Sequence, residues 1–131
     1  MSRQNVEIVR QILEIQPFDL GRASELLDTD IEWFPAAQSL LAADSYRGHE
    51  GVRRFWADLL SVWDEYLVEP EEFMDLGDQV VVITRIRARS PSGVKIEETW
   101  SGLFDMRDGR IVRFRGFTDR DGALEAAGLR G

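Results

Sequence analysis

Between Gly77 and Thr118 the chain reads GDQVVVITRIRARSPSGVKIEETWSGLFDMRDGRIVRFRGFT. Three runs rich in β-branched and aromatic residues, Gln79–Arg89, Val94–Met106 and Arg110–Thr118, are separated by Ser90-Pro91-Ser92-Gly93 and by Asp108-Gly109. Runs of this kind bounded by turn residues predict strands, and Asp-Gly is a favoured hairpin turn because it tolerates positive φ at both central positions. A shorter run, Phe73–Leu76, precedes the turn at Gly77-Asp78. The C-terminal half therefore predicts an antiparallel meander.

Upstream the period changes to that of helices. Val6, Ile8, Val9, Ile12, Leu13 and Ile15 fall on one side of a first helix, with Arg3, Glu7, Arg10 and Glu14 on the other, and Pro17 ends it. Asp19 is placed to cap a second, short helix carrying Ala23, Leu26 and Leu27, with Phe18 positioned to staple it. Ile31–Phe34 reads as a short strand stopped by Pro35, and a loop follows from Ala36 to Gly48. Val52, Phe55, Trp56, Leu59, Leu60, Trp63 and Leu67 then form one apolar stripe, predicting a long helix closed by Pro70. A last short helix, Asp121–Ala127, ends at Gly128. Helices at one end and a meander at the other describe an α+β domain. Three helices cannot cover five twisted strands everywhere, so a cone open at one end is the expected shape.

Composition narrows the function. A chain of 131 residues has the size of one domain, 1–131, with room for a core and an internal pocket. Sixteen basic against twenty-four acidic residues, net −8, disfavour nucleic acid or an acidic membrane surface as partner. The absence of cysteine removes disulfides, thiolate nucleophiles and cysteine metal sites, and the lone His49 removes histidine-rich ones. Asp28-Thr29-Asp30-Ile31-Glu32 imitates the start of a calcium loop but lacks the sixth-place glycine (Trp33) and the twelfth-place acid (Ser39). No phosphate loop, serine elbow or dinucleotide fingerprint occurs, so neither cofactor nor metal is expected. The start of the chain is polar and amphipathic rather than a signal peptide, and no run approaches eighteen apolar residues. A soluble, cytoplasmic protein is expected.

Several motifs, taken in order, resemble one superfamily. Tyr46-Arg47-Gly48-His49-Glu50-Gly51-Val52 opens the long helix, Gly77-Asp78-Gln79-Val80-Val81-Val82 opens a strand, and Asp108-Gly109-Arg110-Ile111-Val112 forms the last hairpin. Thr118–Leu129 closes the series. This pattern resembles the nuclear transport factor 2-like fold, and within it the SnoaL-like group of polyketide cyclases and ketosteroid isomerase-like proteins. The resemblance implies a cone-shaped domain, a homodimer formed through the convex sheet, and a small hydrophobic molecule as partner. Activity does not follow from the fold, because such scaffolds host enzymes and non-enzymes alike. The isomerase-like members imply a carboxylate base before a proline after the first strand, where this chain has Phe34. Their tyrosine donor would fall near Arg10 and their protonated aspartate near Trp100. These departures argue against a steroid-isomerase mechanism.

Candidate residues follow from the predicted sheet. With a two- or four-residue turn after Arg89, the odd positions Val81 to Arg89 share a face with Ile96, Glu98, Trp100 and Gly102. Arg85 or Arg87 would then flank Glu98 beside Trp100, which makes Glu98 a candidate general base with Arg85 or Arg87 as its orienting cation. The alternative is a solvated or dimer-facing arginine ladder, and the apolar look of Val80, Val82, Thr84 and Ile86 favours that reading. Trp33, Phe34, Tyr46, Phe55, Trp56, Trp63, Trp100 and Phe114 are the candidate ligand contacts, several of which could equally be plain core. His49 is expected as a helix-start surface residue, and Glu32 outside the sheet because Trp33 is easier to bury. Two functions remain open: binding of a small hydrophobic metabolite in the cone, with or without its cofactor-free transformation by isomerase-, cyclase- or hydrolase-type proton transfer, and a non-catalytic ligand-binding or dimerisation module.

Overall fold

The computed structural model describes residues 2–15, 19–36 and 45–128. Its elements are helices α1 (Ser2–Leu13), α2 (Leu20–Ala23), α3 (Gly48–Val62) and α4 (Asp121–Ala126). The strands are β1 (Leu27–Phe34), β2 (Tyr46–Arg47), β3 (Glu65–Asp75), β4 (Gln79–Arg89), β5 (Lys95–Arg107) and β6 (Arg110–Phe117). They form one curved, unclosed sheet in the order β2-β1-β6-β5-β4-β3. Only the β1–β6 pair is parallel; every other pair is antiparallel. The α+β class and the nuclear transport factor 2-like cone are as expected.

The meander forms where its turns dictate. Gly77, Gly93, Asp108 and Gly109 all adopt positive φ, and at the last hairpin Asp108 (54°) and Gly109 (77°) give the left-handed pair that a tight turn requires. Asp19 caps α2 as expected, its carboxylate accepting from the Gly21 N–H at 2.9 Å. α2 nevertheless stops at Ala23, and Leu27 begins β1, whose parallel partner β6 extends the strand upstream of Ile31. The expected stop at Pro17 and the expected staple from Phe18 lie outside the described residues.

The long helix ends earlier than its stripe suggested. α3 stops at Val62, Trp63 turns extended (φ −114°, ψ 130°), and Tyr66, Leu67 and Pro70 belong to β3. The spacing Leu59-Trp63-Leu67 fits a helix, but Tyr66, Val68 and Pro70 alternate equally well on a strand. Ten residues of β3 pair with β4, and that ladder outweighs the local period. Pro70 fits because β3 is an edge strand and its pairing slips between Pro70 and Glu72. The loop expected from Ala36 to Gly48 holds the two-residue strand β2, which pairs with Glu32 and Trp33.

One main core lies between the concave face of the sheet and helices α1 and α3, with Val9, Ile31, Val52, Leu59, Val80, Val82, Phe104 and Ile111 essentially excluded from solvent. A smaller cluster sits on the convex face, where α4 lays Ala123 onto Val81, Ile83 and Leu103. The Ser101 hydroxyl anchors that helix, donating to the Asp119 carbonyl (2.8 Å) and accepting from the Ala123 N–H (3.0 Å).

Candidate functional site: an apolar cavity in the cone

The register of β4 and β5 decides which residues can form a site. Five residues, Ser90–Val94, connect the strands, and Arg89 pairs with Lys95. An odd loop length reverses the parity expected from a two- or four-residue turn. Arg87 therefore faces Glu97 and Arg85 faces Thr99, while Glu98 lies opposite Ile86 on the other face. The expected Arg–Glu98 pair does not form. Arg85 bonds Glu97 (3.1 Å) and Glu71 (3.5 Å), and Arg87 bonds Glu69 (3.2 Å) and Glu97 (3.3 Å), all on the convex surface. Convex too is the cluster in which Asp105 accepts from Arg113 (2.7 Å) and Gln79 (2.9 Å).

The concave face carries Val82, Thr84, Ile86, Trp100, Gly102, Phe104, Phe114 and Trp33 on successive strands. Above it stand Ile12 and Ile15 of α1 and the turn after it, and Phe55, Trp56 and Leu59 of α3. Between them lies a cavity of about 100 Å³, open on one side. An engineered apolar cavity of about 150 Å³ takes up benzene; this one is smaller and open, so it suits part of a flat ring with the rest of the ligand in the mouth.

The floor is set by two glycines. Gly102 and Gly116 face each other across β5 and β6. The Phe114 ring lies over them: a Cβ at Gly102 would meet Phe114 Cε1 at 2.9 Å, and one at Gly116 would meet Phe114 Cζ at 3.1 Å and the Ala36 nitrogen at 3.0 Å. Phe114 in turn packs against Trp33 (centroids 4.4 Å) and Phe104 (4.9 Å). Trp33 continues the wall to Phe55 at 5.7 Å, and Phe55 meets Trp56 edge-on at 5.3 Å.

Among the described residues, no charged side chain lines the cavity. Its polar groups are few. Thr84 Oγ1 donates over 3.4 Å to the Trp100 carbonyl, and the Trp100 indole N–H donates to Glu98 Oε1 at 2.7 Å. Glu98 itself is exposed and does not line the cavity. Tyr66 lines the β3 side, where burial pushes its hydroxyl well above the ordinary phenol range. The Trp33 indole nitrogen is buried with no acceptor among the described residues, and the atom itself has no accessible surface.

Of the eight aromatic residues singled out from sequence, Trp33, Phe55, Trp56, Trp100 and Phe114 line the cavity. Phe34 alternates to the opposite face of β1, beside Arg115, and Trp63 is buried in the core. Tyr46 is buried on β2, where its hydroxyl donates to Asp58 Oδ2 at 2.8 Å; burial first and that bond second push it up to about 12. His49 begins α3 half-buried, its Nε2 bonded to the Leu27 carbonyl at 2.9 Å. Glu32 is exposed and paired with Arg47 at 2.9 Å. Sequence reading missed Tyr66, hidden inside the overextended helix. Val82, Thr84 and Ile86 read as core and are buried, and they also line the cavity. The alternation of Tyr66 and Val68 was the available signal.

A cone of this topology is the nuclear transport factor 2-like fold. The chain belongs to the SnoaL-like domain family, whose model matches residues 9–114. Solved structures agree on the fold. TerC, crystallised with polyporic acid, superposes with a TM-score of 0.80 at 22% identity, over 96% of this chain and 97% of that one. A candidate SnoaL-like polyketide cyclase from Jannaschia sp. CCS1 gives 0.76 at 24% identity, over 96% and 90%. A protein of ketosteroid isomerase-like fold from Catenulispora acidiphila DSM 44928, in complex with trimethylamine, gives 0.74 at 15% identity, over 95% and 94%. No curated protein matches the sequence. Among the described residues, no helix is long and apolar enough to cross a membrane.

Proposed function

We propose that the protein binds a small, uncharged, hydrophobic molecule in the cavity of its cone. The observation that carries this reading is the cavity itself: preformed, walled by aromatic rings, and free of charged side chains among the described residues. An ion placed there would lose its hydration without gaining a counter-charge, whereas a neutral ring exchanges water for aromatic contacts.

Binding is favoured over catalysis by the position of Glu98. A general base must reach the proton it removes. Glu98 stands exposed, one oxygen taken by the Trp100 indole, while Arg85 and Arg87 lie on the other face of the sheet. The homodimer implied by the family resemblance belongs to the same proposal.

Native mass spectrometry of gently purified protein tests both parts. A dimer carrying one small molecule per chain, released on denaturation, is the expected result. A ligand-free protein that takes up no flat apolar compound in titration contradicts the binding reading, and a monomer contradicts the dimer.

A further inference from the structure

An apolar cavity has no need of a hydroxyl, yet Tyr66 brings one. Its ring lies edge-on to Trp56, centroids 6.4 Å apart, and its hydroxyl makes no hydrogen bond with any described residue. Tyr66 is half-buried, and a phenol hydroxyl at the edge of an apolar interior ordinarily finds a partner. The other polar groups around the cavity are occupied or closed off. Thr84 and Trp100 spend their donors on the Trp100 carbonyl and on Glu98. Ser101 turns its hydroxyl to the convex side, and the Trp33 nitrogen has no accessible surface.

The position of Tyr66 adds direction. The rings of Trp33, Phe104 and Phe114 belong to β1, β5 and β6, whereas Tyr66 comes from β3 at the far edge of the sheet. The cavity thus has its stacked rings at one end and, beside Trp56, the Tyr66 hydroxyl at the other. A phenol is protonated at neutral pH, and burial suppresses its ionisation further, so the group presents an O–H.

We propose that Tyr66 is a ligand-binding residue that donates its hydroxyl hydrogen to an uncharged acceptor oxygen, a carbonyl or ether, at one end of a ligand whose flat apolar end lies against Trp33 and Phe114. This rests on the binding reading above and specifies its ligand class: a neutral, one-ring-sized molecule with a polar oxygen on one side.

Acetophenone and isopropylbenzene are the probes, since they are similar in size and differ chiefly in the carbonyl oxygen. Their affinities are read from saturable amide and indole shifts in NMR titrations of the wild-type protein and of Tyr66→Phe. The expected result is an acetophenone affinity about tenfold weaker in the variant, with isopropylbenzene changed less than about twofold. Retained isopropylbenzene binding also shows that the variant is folded. Acetophenone binding that is unchanged, or that falls in step with isopropylbenzene, overturns the role of Tyr66 and leaves the cavity reading standing. Failure of both probes to bind the wild-type protein overturns the cavity reading together with this one.

Discussion

The two faces of one sheet have opposite chemistry, although the same strands supply both. On the convex face Arg85, Arg87 and Arg89 meet Glu65, Glu69, Glu71 and Glu97 in a ladder of ion pairs, with N–O distances of 3.1–3.8 Å. On the concave face the alternate residues are Val80, Val82, Thr84, Ile86 and Ala88, all buried. The difference teaches where function can reside. In the single chain the ladder is exposed, four carboxylates against three guanidinium groups, so each pair adds little stability. The concave face hides apolar surface and still leaves a cavity that side chains do not fill.

That contrast can be broken most severely from the concave side. Phe104, 2% exposed, packs on Phe114 beneath the cavity. Phe104→Ala should cost roughly 3–5 kcal/mol in chemical denaturation, because transfer and void terms add. A loss below about 1 kcal/mol would mean that the concave core is not packed as described.

Gly102→Ala sharpens the comparison. The new methyl must displace the Phe114 ring, which a Cβ there would meet at 2.9 Å. Expected are a destabilisation of about 1–3 kcal/mol by overpacking and a clear loss of affinity for any flat probe. Unchanged binding would place the ligand elsewhere.

Next in size is the Tyr46 hydroxyl and its bond to Asp58. Tyr46→Phe should cost about 1 kcal/mol in the same assay. The pH dependence has a definite sign. With its folded ionisation raised from 10.0 to about 12, the folded state holds the phenolic proton more tightly than the unfolded chain does. Stability from this group is therefore fully present below pH 10 and is lost as pH rises from about 10 to 12. The variant should show a shallower decline across that window; an identical decline would assign the loss to other groups, Tyr66 foremost.

How much of this was legible in the sequence depended on whether turn chemistry or tertiary pairing set the outcome. Gln79–Arg89 was read to the residue, and the Asp108-Gly109 hairpin was secure, because glycine and aspartate at positive φ are local signals. The face assignment was not local. It hung on one residue of loop length after Arg89, and an odd loop moved Arg85 and Arg87 away from Glu98. The end of α3 failed for a related reason: Trp63 and Leu67 satisfy the helical period, and only pairing with β4 makes 65–75 a strand. Five of the proposed aromatic contacts line one cavity. Tyr66, the residue that gives the cavity its polar end, was lost with the misplaced helix end.

The smallest effects belong to the convex face and the rim. Arg85→Gln should change stability by less than about 1 kcal/mol, more at low salt than at high, and leave probe binding untouched. Glu98→Gln keeps an acceptor for the Trp100 indole and should alter probe affinity by less than about twofold. A large loss of affinity in either variant would put the binding site outside the cavity.

The indole N–H signals of the four tryptophans test the central claim most directly, through an NMR titration with acetophenone. Trp33, Trp56 and Trp100 line the cavity, whereas Trp63 is buried outside its walls. The account predicts saturable shifts of the first three at one common dissociation constant, with Trp63 nearly still. Shifts confined to backbone amides of Arg85, Arg87 and Arg113 on the convex face, or no saturable shift at all, would contradict it.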